Sequence, residues 1–94
     1  MKIRWKERFK EDYKELEKRL KKPIPFRKAL FRAVSILEKG DDLSEKYTVN
    51  RIPAQGPGWY DCYVFEDIIM IYKIQGRYVK LSRLGTPKKL QKER

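Results

Sequence analysis

The side chains able to do chemistry crowd the last third of this 94-residue chain. Residues 68–94 hold eight basic side chains against one acidic, with Tyr72 and Tyr78 interleaved among Lys73, Arg77, Lys80 and Arg83. Cations neutralise phosphates and release their counterions, and aromatic faces stack on bases, so this mixture favours a polyanion, above all nucleic acid. The same field would attract an acidic protein. Residues 1–40 repeat the bias with 14 basic and 6 acidic side chains, and residues 41–67 reverse it with 2 and 6. The whole chain carries a formal charge of +11. It has no histidine, the side chain whose unperturbed pKa suits proton transfer near neutrality. Acid–base work would fall to carboxylates, lysines or tyrosines.

Other chemistries are poorly served. The single cysteine, Cys62, lies in an apolar run, so neither a disulfide framework nor a Cys-rich metal site is available, and a reducing compartment fits. No metal or other cofactor is implied. No apolar stretch nears the roughly 18 residues of a membrane span, and MKIRWKERFK lacks the apolar segment of a signal peptide. A soluble cytoplasmic protein without membrane contact is expected. Residues 1–94 are expected to form one domain, with 88–94 as a basic C-terminal tail.

The elements that must position these residues follow from periodicity. Ile3 and Trp5 alternate with Lys2 and Arg4, as in a short first strand. Phe9, Tyr13, Leu16 and Leu20 form the stripe of an amphipathic helix over about residues 6–22. Lys22-Pro23-Ile24-Pro25 breaks that pattern, and Phe26, Ala29, Leu30, Ala33, Val34 and Leu37 carry a second helix to Gly40. Residues 41–57 read as a polar connector with a short strand near Tyr47–Ile52. Three strands follow. Trp59–Phe65 sorts Tyr60, Cys62 and Val64 onto one face and Trp59, Asp61, Tyr63 and Phe65 onto the other. Ile68–Ile74 is apolar on both faces until Lys73, as a central strand would be. Tyr78–Leu84 alternates Tyr78, Lys80 and Ser82 with Val79, Leu81 and Arg83. The turns are Glu66-Asp67 and Gln75-Gly76. This order predicts an α+β domain, an N-terminal strand and helical hairpin packed on one face of a twisted, mainly antiparallel sheet.

Gln55-Gly56, Asp61, Val64, Asp67, Ile71-Tyr72-Lys73 and Arg83-Leu84-Gly85-Thr86 occur in the order and spacing of the YafQ-type branch of the RelE/ParE toxin superfamily. The sequence resembles that branch over roughly residues 1–90, most strongly from Gln55 to Thr86. The resemblance implies a RelE-like fold and the toxin of a type II toxin–antitoxin pair, usually a metal-free endoribonuclease that cuts mRNA on the ribosome. Its partners would be mRNA, the ribosome and a cognate acidic antitoxin. In such an enzyme a base deprotonates the ribose 2′-hydroxyl, cations stabilise the phosphorane-like charge and an acid protonates the leaving 5′-oxygen.

YafQ-type proteins use histidines here, whereas the matching positions of this chain hold Ile52, Tyr63 and Pro87, and Gln91 stands where an aromatic residue is expected. The RelE-type branch, which works with lysines, arginines and a tyrosine, suggests a substitute set. Its catalytic members would be Arg83, Lys73, Asp67 and Tyr63, and Lys80, Lys88, Lys89 and Trp59 would bind RNA. The alternative is a non-enzymatic relative that binds RNA, a ribosome or a protein such as gyrase. Each residue also has a purely structural reading. Arg83 reads as a partner of Asp61, Asp67 as a turn residue, Tyr63 with Trp59 and Phe65 as an aromatic cluster, and the C-terminal lysines as solvated tail.

Overall fold

Alternation in the first residues gives β1 (Lys2–Trp5), with Ile3 and Trp5 turned to the interior. The computed structural model describes residues 1–92. Of the expected basic tail, Glu93 and Arg94 lie outside the described residues, and the side chains of Gln91 and Lys92 are likewise outside them. Helix α1 (Glu7–Arg19) presents Phe9 to the core and also buries Asp12. Helix α2 (Pro23–Glu38) starts earlier than its apolar stripe predicts. Pro23 and Pro25 occupy its first turn, where backbone N–H groups have no intrahelical acceptor and a proline removes nothing. Gly40 follows the helix at φ +78°, the left-handed conformation that ends helices.

The connector is more structured than a polar loop. It contains a 3₁₀ turn (Leu43–Glu45), opened by Asp42 accepting the Ser44 N–H at 2.9 Å, then the short strand β2 (Val49–Arg51) and a second 3₁₀ turn (Pro53–Gln55). Gly58, at φ +83°, leads into β3 (Trp59–Phe65). A Cβ there would stand 2.7 Å from the Ile74 carbonyl oxygen, so only glycine fits the approach. Strands β4 (Ile68–Gln75) and β5 (Tyr78–Gly85) complete the meander, and α3 (Pro87–Lys92) follows.

The strand order is β1-β5-β4-β3-β2. Strand β1 pairs parallel to β5 and the other pairs are antiparallel, giving a five-stranded mixed sheet. Helices α1 and α2 cover one face. Their Phe9, Phe26, Leu30, Ala33 and Leu37 pack on Cys62, Met70, Tyr72, Val79, Leu81 and Leu84 from the sheet. On the other face Ile52, Ile69, Ile71 and Leu90 form a small second core, with Trp59 against it. Strand β4 is therefore buried on both sides, as its unbroken apolar run predicts, and its second cover is mostly aliphatic.

Two β-bulges change the expected faces. Between Tyr63 and Phe65 the register slips, so Phe65 pairs with Ile68 and enters the helical core, its ring 6.1 Å from that of Phe26. Period-2 alternation had put Phe65 beside Trp59 and Tyr63, and the extra residue reverses it. In β5 the slip between Leu81 and Arg83 leaves Ser82 unpaired, turns Leu84 into the core and sets Arg83 opposite Ile71. The basic tail also differs from expectation at its start: Thr86 accepts the Lys89 N–H at 3.3 Å and Pro87 occupies the first helical position, so α3 begins there.

Candidate functional site

The catalytic candidates do not form one cluster; the fold distributes them over three places. The first is the edge of β5. Strand β1 pairs with β5 only as far as Leu81, and beyond that point Asp12 of α1 takes over. Its carboxylate accepts the Leu84 N–H at 2.9 Å and the Arg83 Nε and guanidinium N–H at 2.9 and 3.3 Å. The two side chains are 6% and 17% exposed. Arg83 thus has a buried structural partner, and that partner is Asp12 rather than Asp61. Asp61 instead accepts the Asn50 side-chain amide at 3.2 Å across β2 and β3.

The second place is a cleft of about 490 Å³ at the end of the sheet, between the last turns of α1 and the Gly85-Thr86 corner. Asp67, Lys88 and Lys89 line it together with Leu16, Arg19 and Leu20. Glu15 organises two of its cations, bonding Arg19 at 3.0 Å and Lys89 at 3.1 Å. The Lys89 ammonium beside it, then Arg19, hold the Glu15 carboxyl below its ordinary pKa. Lys88 is exposed and has no ion-pair partner among the described residues. Glu66, immediately before Asp67, sits at φ +49°. Phe65 pairs with Ile68, so Glu66 is the first central residue of a two-residue hairpin turn, the position where the II′ geometry requires a positive φ. Tyr63 lies at the same end of the sheet but on the open face, opposite Ile69, and is 41% exposed.

The third place is the far end of the open face. Trp59 pairs with Lys73, Lys73 with Lys80, and Lys80 with Arg4. The Lys73 ammonium lies 5.6 Å from the Trp59 ring centroid and the Arg4 guanidinium 4.3 Å from that of Tyr78, both within cation–π range. Lys73, Lys80 and Trp59 therefore share a row, apart from Asp67, Lys88 and Lys89. Trp59, Tyr63 and Phe65 do not form the expected aromatic cluster, because Phe65 has crossed to the helical side.

The positions matched to histidines also separate. Ile52 is buried in the second core, Tyr63 is exposed, and Pro87 is the first residue of α3. The Gln91 side chain lies outside the described residues. Sequence reasoning missed Arg19 and Arg4. Arg19 reads as an ordinary helix surface residue paired with Glu15, and nothing local announces that α1 ends beside the Gly-Thr corner. Helix α3 was missed as well, its residues reading as a corner and a basic tail, although Thr86-Pro87 is a pair that starts helices.

Comparison with known proteins agrees with this architecture. The family model described as a bacterial toxin of type II toxin–antitoxin systems, YafQ, matches residues 1–92. The fold is similar to the structure of YafQ from Escherichia coli strain BL21(DE3), with TM-score 0.79, 26% identity and 94% of each chain covered. It matches the E. coli DinJ–YafQ complex equally well, at TM-score 0.79, 26% identity and 94% of each chain. A metal-bound toxin from Helicobacter pylori shares the fold at TM-score 0.78 and 22% identity over 96% of this chain and 98% of that one. No curated protein matches the sequence.

Proposed function

The chain belongs to the YafQ family of bacterial type II toxin–antitoxin toxins, and from that premise we propose that it is a metal-free endoribonuclease that cuts mRNA on the ribosome, with the Asp67 cleft as its reaction site. One observation carries this reading. Asp67 opens into the same cleft as Lys88, Lys89 and Arg19, so a carboxylate faces cations without a histidine. In the proposed step Asp67 takes the proton of the ribose 2′-hydroxyl, whose oxygen bonds to the adjacent phosphorus. Lys89 and Arg19 stabilise the added negative charge, and Lys88 gives a proton to the 5′-oxygen as its bond to phosphorus breaks. The products are a 2′,3′-cyclic phosphate and a 5′-hydroxyl. Tyr63, exposed at the same end of the sheet, is a stacking surface for a base.

Two structures in the comparison are DinJ–YafQ toxin–antitoxin complexes, which supports a cognate antitoxin as this chain's partner. With a formal charge of +11 on the toxin, that antitoxin is expected to be acidic.

A second reading has an observation of its own. Ile52, at a position matched to a histidine, is buried with Ile69, Ile71 and Leu90, so part of the face that would carry acid–base groups is apolar packing. On this reading the chain binds its target without cutting it.

Mapping RNA ends after expression without a partner separates the two. Cuts within translated codons are expected, and Asp67→Asn should lower the cutting rate by about 100-fold or more at unchanged melting temperature. Growth arrest with intact mRNA would remove the enzymatic reading and leave the binding one.

A further inference from the structure

The row at the far end of the open face has a feature that folding does not explain. Lys73, Lys80 and Arg4 are direct cross-strand neighbours on β4, β5 and β1, and like charges placed opposite one another destabilise a sheet. None of the three has a carboxylate partner among the described residues. Asp61, on the same face, is in the next row and bonded to Asn50. Trp59 and Tyr78 do not separate the charges; their rings hold the Lys73 and Arg4 heads by cation–π contact. Lys2, opposite Tyr78, extends the positive surface. Across four strands the row runs roughly 14 Å, at about 4.8 Å per strand.

We propose that Trp59, Lys73, Lys80, Arg4 and Tyr78 form a binding track for the phosphodiester backbone of single-stranded RNA, distinct from the Asp67 cleft. This rests on the RNA-directed reading above. Lys73 and Lys80 stand five positions along β4 and β5 from Ile68 and Gly85 of the cleft, roughly 17 Å at strand rise. The track therefore holds RNA flanking the reaction point and takes no part in proton transfer. It reads charge, without base-edge contacts, so it is indifferent to sequence. Aromatic rings set among the cations offer faces on which bases stack and for which an acidic peptide has no matching group, so the row favours single-stranded RNA.

The test uses the full chain and a fluorescein-labelled oligouridylate of about 12 nucleotides, within the span of single-strand sites, 2′-O-methylated so that it cannot be cut. Binding is measured against salt for the parent protein and two triple variants of equal charge. One carries Arg4→Gln, Lys73→Gln and Lys80→Gln; the other carries Lys14→Gln, Lys18→Gln and Lys28→Gln on the helical layer. Loss of three phosphate contacts should reduce the log–log salt slope by about 2, at roughly 0.7 per contact. The helical variant should keep most of the parent slope, and the row variant should melt no lower than the parent.

Equal slopes for the two variants would reduce the row to a contribution to net charge and overturn the proposal. Tighter, row-dependent binding of polyglutamate than of RNA would assign the surface to an acidic protein and also overturn it. RNA-end mapping separates this from the reaction. Row-dependent binding without cuts leaves the track standing while the enzymatic reading falls; cuts with row-independent binding do the reverse.

Discussion

Asp12 and Arg83 show how one buried pair can imitate a catalytic one. An arginine two residues before a Gly-Thr corner has the position of a phosphate ligand, yet its guanidinium is held by a carboxylate that also accepts the Leu84 N–H. Removing Arg83 leaves the Asp12 carboxylate buried with the Leu84 N–H in place of a cation, so Arg83→Ala should lower stability by about 3 kcal/mol, measured by urea unfolding. Loss of activity in Arg83→Ala therefore counts as catalytic only if stability is retained. Cys62 makes a second residue-level prediction. Burial pushes its thiol from an ordinary value of 9.0 to about 12, and Tyr72 is raised by burial too. Both groups hold protons longer in the folded chain than in the unfolded one. Their contribution to stability is complete below pH 9, and it is lost as pH rises toward 12. Urea midpoints at pH 8 and at pH 10.5 should fall in that order, and Cys62→Val should lessen the drop. A thiol reagent at pH 8 should label Cys62 only after unfolding.

Among the elements, the meander was the most legible because its signals are local. Alternation, the Glu66-Asp67 and Gln75-Gly76 turns, and the glycines before β3 all act within a few residues. Gly58 is the sharpest case: its positive φ and the close Ile74 carbonyl predict that Gly58→Ala costs about 2 kcal/mol, read as a lowered melting temperature with the sheet retained. What local signals did not give was the pair of bulges. A one-residue insertion reverses every following side chain, and whether it occurs depends on what the opposite strand and the helices offer to bury. Phe65 could satisfy the alternation or the cavity beside Phe26, and burial prevailed. Helix α3 has a local start signal in Thr86-Pro87 that the corner-and-tail reading passes over, and its docking has none, since Leu90 is buried only because Ile52, Ile69 and Ile71 lie together beneath it.

At the scale of the whole molecule the charge distribution governs encounter. A formal +11 on 94 residues predicts that association with an acidic antitoxin slows by about tenfold or more between low and high salt, with dissociation much less affected; stopped-flow mixing with the cognate antitoxin checks this. By itself the sequence determined the α+β class, the helical hairpin, the meander, the family resemblance and the excess of cations, because composition, periodicity and turn chemistry are properties of short stretches. It put Asp67 in one turn and Lys88 and Lys89 just past another, without joining them. Only the tertiary structure decided which cations meet. The parallel pairing of β1 with β5 puts Arg4 beside Lys80 from 76 positions away, α1 carries Arg19 to the cleft and Asp12 to Arg83, and the second core occupies Ile52. These juxtapositions are set by strand order and by competition for buried surface, which no local window of the chain contains.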